Sequence, residues 1–263
     1  MTIKIYSPNE FLTLEPPSNL YLVNPIVPLG GIVFIYGKSG VGKSPLSWAL
    51  ADAVCQGGSF LGMPVSGQSP VLYVDVDTRW WTIQDRWKQA GYTPSFDIAV
   101  GDAFDCLAGS WDYSDARHKF KERQAAKGYK LVIISTLAKV HSFSFSDPNA
   151  PALVYSRWQE VFGEECAIVF IHHDKKSVAS EGEAGEDSLY HTRRESFSGN
   201  QQWLDHCTVA VHLIRRGSDY KFTLEQVKDQ GSKKVDALKL DLNDNGVGVS
   251  IEAEATEKDN WLI

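Results

Sequence analysis

The chain has 263 residues, enough for one α/β domain with a full core and short for two. With 43% apolar residues and both signs of charge interspersed it has the composition of an ordinary globular protein, and a net charge of −7 argues against coating duplex DNA by bulk attraction. The four cysteines, Cys55, Cys106, Cys166 and Cys207, form no C-x-x-C pair, so neither a zinc site nor a disulfide framework is suggested and reduced thiols are expected.

The opening stretch MTIKIYSPNEF lacks an apolar segment of signal-peptide length, and no run approaches a membrane span, so a cytoplasmic setting without membrane contact is expected. GIVFIYG (31–37) is the first strand, and an amphipathic helix follows over 43–56. PVLYVDV (70–76) is the second strand, and in the helix expected over 79–90 the residues Trp80, Ile83, Trp87 and Ala90 share one face. A helix over 113–127, the strand KLVIIS (130–135), a helix over 151–163 and the strand AIVFIHH (167–173) complete the alternation. Continuous β-branched and aromatic runs separated by helices imply βαβ units and a mostly parallel sheet covered on both faces. The segment 174–195 is polar, charged and aperiodic, and is expected to be a mobile internal loop. From about residue 207, CTVAVHLIRR, YKFTLEQVK, DALKLDL and VGVSIEAEA are separated by turn residues and predict an antiparallel meander. One domain over 1–263, with a tail at 254–263, is the expected organisation.

The chemistry starts at the end of the first strand. Gly37, Lys38, Ser39, Gly40, Val41, Gly42, Lys43 and Ser44 match G-x-x-x-x-G-K-[ST] in full, between a β-run and a helix. The glycines let backbone N–H groups curl around phosphates, and the helix N-terminus faces their negative charge. Lys43 is expected to reach the β- and γ-phosphates and the Ser44 hydroxyl to bind Mg2+, so ATP with Mg2+ is the expected ligand pair. Pro45 falls in the first helical turn, where the N–H groups have no intrahelical partner, and is tolerated there.

The stretch NLYLVNPIVPLGGIVFIYGKSGVGKSPLSWALADAV, followed by LYVDVD, FIHHDKK and SGNQQWLDHCTVAVHLI, resembles the RecA-core ATPases, and among them the plasmid RepA-type hexameric helicases of the broader DnaB/RecA group. The resemblance covers about residues 15–250 and implies a RecA-like P-loop core ending in the antiparallel meander. It places Asp77 where the family has the glutamate that orients and deprotonates the attacking water; two acidic residues capping a strand end is the plainer alternative. His172 matches the position that feels the γ-phosphate, the alternative being a hydrogen-bonded histidine at a strand end. The 174–195 segment falls where such proteins face a nucleic-acid channel, so Lys175, Lys176, Arg193 and Arg194 are candidate contacts to a single-stranded backbone, against the reading of a solvated loop. Single-stranded DNA, a homo-oligomeric ring of six subunits, and replication or recombination partners are what the resemblance implies.

Two departures bear on turnover. The strand 130–135 ends in Ser135, where the family has the aspartate that holds the water shell of Mg2+. Losing one charge-assisted hydrogen bond costs roughly 1.5–3 kcal/mol. Near the C-terminus the family often has Lys-x-Arg reaching into the next subunit; here the residues are Lys228 and Gln230, leaving Lys228 as the candidate finger, with Arg194, Arg215 and Arg216 as stand-ins. The readings left open are a helicase-type ATPase, a RecA-like recombinase or strand-annealing ATPase, and an ATP-binding protein with weak hydrolysis.

Overall fold

The computed structural model describes residues 4–15, 20–101, 115–174, 196–217, 220–230, 235–243 and 246–252. A short helix, α1 (Pro8–Leu12), and a hairpin, β1 (Tyr21–Val23) with β2 (Val27–Pro28), precede the first core strand, β3 (Ile32–Gly37). Helix α2 (Lys43–Gln56) follows, then a second hairpin of β4 (Ser59–Phe60) and β5 (Met63–Pro64), strand β6 (Val71–Asp75), helix α3 (Trp80–Gln89) and strand β7 (Asp97–Val100). Next come α4 (Asp115–Lys127), β8 (Leu131–Ser135), α5 (Ala150–Phe162), β9 (Ala167–His173) and the single turn α6 (Gln202–Asp205). The chain ends in β10 (Val209–Arg216), β11 (Lys221–Asp229), β12 (Leu238–Leu242) and β13 (Val249–Ile251).

One nine-stranded sheet, in the order β13-β12-β11-β10-β3-β9-β8-β6-β7, organises these elements. From β10 to β7 neighbours run parallel, and from β10 to β13 they run antiparallel. The expected mostly parallel sheet with a C-terminal antiparallel meander is therefore what the chain forms. Strands β3, β6 and β8 are buried along their whole length, which is why their sequences are unbroken apolar runs rather than alternations.

Because successive strand residues point to opposite faces, each apolar run feeds two cores. On one face Val33, Ile35, Tyr73, Ile133, Val169 and Ile171 pack with Leu46, Trp48 and Leu50 of α2 and Ile83 of α3. On the other, Phe34, Tyr36, Val132, Ile134 and Phe170 pack with Trp158 and Phe162 of α5 and Phe120 of α4. Each large apolar side chain fully removed from water adds roughly 1.5–3 kcal/mol of favourable burial. The second core also holds two histidines among aromatic rings. His141 lies 4.8 Å from the Phe145 ring and 5.0 Å from Trp203, and His172 lies 5.1 Å from Phe145 and 4.6 Å from Phe197.

The sequence reading and the fold differ at short elements. The hairpins β1–β2 and β4–β5, helix α1 and strand β7 were not expected. The second core strand stops at Asp75, one residue before the run 70–76 ends. Of the expected mobile loop only Asp174 is described, bridging to Phe197; residues 175–195 and the tail at 254–263 lie outside the described residues. Among the described residues no helix is long and apolar enough to cross a membrane.

Burial pushes His141 and His172 from 6.5 down to about 4, the Phe143 and Ser198 backbone contacts only partly opposing it. A depressed histidine keeps its stabilising contribution above its unfolded pKa and loses it as pH falls toward the folded value, here through the window from 6.5 down to about 4. Each histidine contributes a slope of up to about 1.4 kcal/mol per pH unit in that window. Other groups titrate there too, so the informative comparison is between parent and His141→Phe. Urea unfolding at several pH values between 7 and 4.5 should give the variant the shallower acid loss; parallel curves would mean that His141 takes up its proton in the native state without cost.

Candidate functional site

The site lies at the C-terminal ends of the parallel strands, beside the central strand β3. In open α/β sheets this crevice is where ligands bind. Between β3 and α2 the chain turns through Gly40 and Gly42, with φ of +75° and +87°, a region that residues with a Cβ enter at a cost. Gly42 stands at the N-cap of α2 with no side-chain cap, so the first N–H groups of a 14-residue helix are left for a ligand. The first intrahelical bond runs from Leu46 N–H to the Gly42 carbonyl, which explains why Pro45, one residue earlier, does no harm. Lys38, Ser39 and Gly40 are exposed, whereas Val41 anchors the loop by its buried side chain.

Lys43 is the centre of the arrangement. Its Nζ donates to the carbonyls of Gly37 at 2.8 Å and Lys38 at 2.7 Å, and lies 3.4 Å from His173 Nδ1. Burial lowers its pKa to about 8, while the charges of Asp174 and Asp77 pull the other way. A buried ammonium held by backbone carbonyls, on a glycine turn at an uncapped helix N-terminus, fits a phosphate chain.

The neighbouring strand ends supply the acidic side of the site. Asp75 is 1% exposed, and its Oδ1 accepts from the backbone N–H groups of Asp77 at 3.0 Å and Thr78 at 2.8 Å. Burial raises its pKa to about 6 against the pull of those hydrogen bonds. Asp77, exposed in the turn after the strand, acts by its charge on both Lys43 and His173. Two residues apart on a continuing strand, Asp75 and Asp77 would leave on the same face; instead the strand ends at Asp75, whose carboxylate holds the turn that carries Asp77.

Ser135 lies beside the loop, as its strand-end position predicts. It is buried and is the register partner of Asp75 on one side and Ile171 on the other. The Tyr73 hydroxyl sits among Ser47, Ser44 and Ser135, with Ser47 Oγ at 3.3 Å, and burial raises the Tyr73 pKa. Hydroxyls therefore fill the space beside Ser44 that a carboxylate at 135 would share.

His172 is turned away from this site. Its Nε2 meets the Ser198 carbonyl at 2.7 Å, and its ring sits between Phe145 and Phe197 in the opposite core. His173 is the histidine against Lys43. Strand parity explains the exchange, since His173 shares the face of Val169 and Ile171 and is the register partner of Gly37. That signal was available in the sequence once the P-loop helix was assigned to one face. Less legible is the next pair, buried near the loop: His212 Nε2 lies 3.1 Å from Asp174 Oδ2 and stacks 4.6 Å from the Tyr36 ring, and Ser196 Oγ donates to Asp174 at 3.2 Å. Lys228 Nζ donates to the Leu204 and Asp205 carbonyls at the end of α6. Lys175, Lys176, Arg193 and Arg194 lie outside the described residues. Among the described residues no group of three or more His, Cys, Asp or Glu forms a protein-only metal cage.

A RecA-like α/β sheet with a phosphate loop at its centre defines the class of P-loop ATPases. A family model described as an AAA domain, AAA_25, matches residues 5–179, and the chain belongs to that family. It is also similar to a solved structure, a KaiC-like protein from the hyperthermophilic archaeon Pyrococcus horikoshii OT3, with a TM-score of 0.56 and 10% identity over 88% of this chain and 94% of that one. At that identity the likeness is one of fold. No curated protein matches.

Gly37 is where the loop is most sensitive to backbone approach, because a Cβ there would collide with the Leu213 carbonyl oxygen of β10. Gly37→Ala should destabilise the protein by about 1–3 kcal/mol, the usual range for forced backbone strain. It should also weaken phosphate-ligand binding by shifting the carbonyl that holds Lys43. Urea unfolding checks the first part, and an alanine variant as stable as the parent would mean that β3 and β10 can separate freely at this end.

Proposed function

We propose that the chain binds ATP with Mg2+ at the Lys43 loop, hydrolyses it, and works as an oligomer on single-stranded nucleic acid, as a RepA-like DNA helicase of a plasmid or virus does. The observation that carries the reading is the buried Lys43 ammonium at the head of α2, held by two carbonyls whose hydrogen bonds a phosphate oxygen can replace. In this reading the loop N–H groups and the α2 terminus bind the phosphates, Lys43 binds the β- and γ-oxygens, and Ser44 presents its hydroxyl to the metal. The bound Mg2+ supplies charge neutralisation on the transferring phosphoryl group. Asp77, exposed at the rim, orients and deprotonates the attacking water. His173 touches Lys43 and precedes Asp174, so it links the terminal phosphate to the segment 175–195 with its candidate strand-binding cations.

The oligomer comes from the likeness to ring-forming RecA-core ATPases, in which a neighbouring subunit faces the nucleotide. Lys228 is engaged by its own chain at α6, and Arg216 is paired with Glu252. Because a second copy carries the same contacts, the cation it would present to the γ-phosphate is Arg194 or Arg215, or Lys228 or Arg216 released from its own chain. Beside Asp77, Trp80 and Trp81 are 54% and 48% exposed, with the Arg79 guanidinium 5.0 Å from the Trp81 ring centroid, a surface suited to such a neighbour. Ser135 favours a second reading, nucleotide binding with slow turnover, in which ATP acts as a switch.

Lys43→Ala should abolish binding of a labelled ATP analogue while leaving the fold intact; binding as tight as the parent's would remove the phosphate-loop assignment. Asp77→Asn should retain binding and lower turnover by on the order of 10²–10⁴, the usual contribution of a general base. Turnover and particle size measured with and without single-stranded DNA test the rest. A discrete ring with stimulated turnover supports the helicase reading, filaments indicate a recombinase, and turnover near zero with saturating DNA indicates the switch.

A further inference from the structure

We infer that Asp75 supplies, from the adjacent strand, the metal-facing carboxylate that Ser135 lacks. This rests on the reading of the Lys43 loop as a Mg2+–nucleotide site.

The geometry begins with register. Asp75 and Ser135 are Cα partners on neighbouring parallel strands, at the strand ends that flank the phosphate loop. Parity then fixes the face. Val71 and Tyr73 of β6, and Leu131 and Ile133 of β8, all pack on the α2 side, so positions 75 and 135 continue those rows toward the head of α2. The Tyr73 hydroxyl, in the same row as Asp75, reaches Ser44, Ser47 and Ser135 together, and the Asp75 charge acts on it. Asp75 therefore borders the same small polar space as the Ser44 hydroxyl that would face the ion.

A second, independent observation comes from its charge. Asp75 is 1% exposed, and among the described residues no Lys, Arg or His lies within ion-pair distance of it. Buried carboxylates in proteins are paired or face a metal. The two backbone N–H groups that Oδ1 accepts stabilise the anion but carry no full charge. Swapping the carboxylate from one strand end to its register partner moves it by one strand spacing, about 4.8 Å. An outer-sphere role, in which the carboxylate holds waters of the ion, tolerates such a displacement better than direct ligation does, because Mg2+ keeps several waters.

The competing role is purely structural: Asp75 holds the turn that carries Asp77. Asp75→Asn separates the two, because the amide oxygen still accepts from the Asp77 and Thr78 N–H groups while the charge is lost. Labelled-ATP-analogue binding is titrated with Mg2+, and Mn2+ binding to the nucleotide-loaded protein is followed by electron paramagnetic resonance, with thermal unfolding as the fold control. Asp75→Asn should keep its melting temperature and need on the order of tenfold to a hundredfold more metal for half-maximal binding, the worth of one charge-assisted contact. The double variant Asp75→Asn, Ser135→Asp should recover most of that loss. Ser135→Asp alone, with Asp75 in place, should bring no gain, since two carboxylates then crowd one space. The inference is overturned if the metal curves of Asp75→Asn and parent coincide, or if Ser135→Asp alone tightens metal use; the latter decides the matter even where Asp75→Asn does not fold. A parent protein that binds no nucleotide at any Mg2+ concentration defeats the phosphate-loop reading itself, which the Lys43→Ala comparison identifies separately.

Discussion

The site depends on one desolvated cation. Lys43 is carried by the first turn of α2, and its ammonium is folded back under the loop onto the Gly37 and Lys38 carbonyls. Leaving a charge there costs free energy unless dipoles surround it, and burial lowers its pKa to about 8 in spite of Asp174 and Asp77. The surroundings follow from that demand. The loop must bring carbonyls inward and N–H groups outward within a few residues, which requires glycines at positive φ, and β3 must end in the middle of the sheet so that strand ends on either side can close around the ammonium.

Strand parity decides which neighbours do so. In β9 the residues that face α2 are Val169, Ile171 and then His173, while Phe170 and His172 enter the aromatic core below. Two adjacent histidines therefore have different physical lives. His172 is wedged between phenylalanine rings, and His173 is half-buried against Lys43. The same rule sets Asp75 with Ser135 on the loop side of the sheet. A sheet packed on both faces permits no slippage of this assignment, because moving one strand by one residue would exchange its two faces and drive polar groups into both cores.

Much of this was legible in the residues. The long apolar runs and the helices between them were long enough for their period to stand out, and the phosphate loop announced itself by glycine spacing next to a strand. Strand β7, DIAV, was not, because at a sheet edge only alternate residues are covered and four residues carry too little pattern. The two-residue strands of the hairpins carry less still. At the site, Asp75 read as one of two equivalent acids because nothing local says that the strand stops there and that its carboxylate turns to accept from the next two N–H groups. The His212–Asp174 pair joins residues 38 apart in sequence, and the engagement of Lys228 by the end of α6 joins residues 23 and 24 apart; pairings of that range come from the strand order, which no local period encodes.

The charge balance of the strand ends gives these observations one sense. Asp77 and Asp174 act by their charge on a single buried lysine, and the imidazole of His173, held below its usual pKa by burial and by Lys43, adds little positive charge at neutral pH. Those two carboxylates offset part of the attraction that Lys43 exerts on an anion. The α2 terminus and the loop N–H groups contribute only fractional positive charge. In the function proposed above, a polyphosphate would be accepted there together with further cations: a divalent ion on the side of Ser44, and a basic side chain from a neighbouring copy on the side of Asp77. On that proposal the carboxylates would make occupancy conditional on a metal and on a neighbour, as an assembly that acts in sequence around a strand would require.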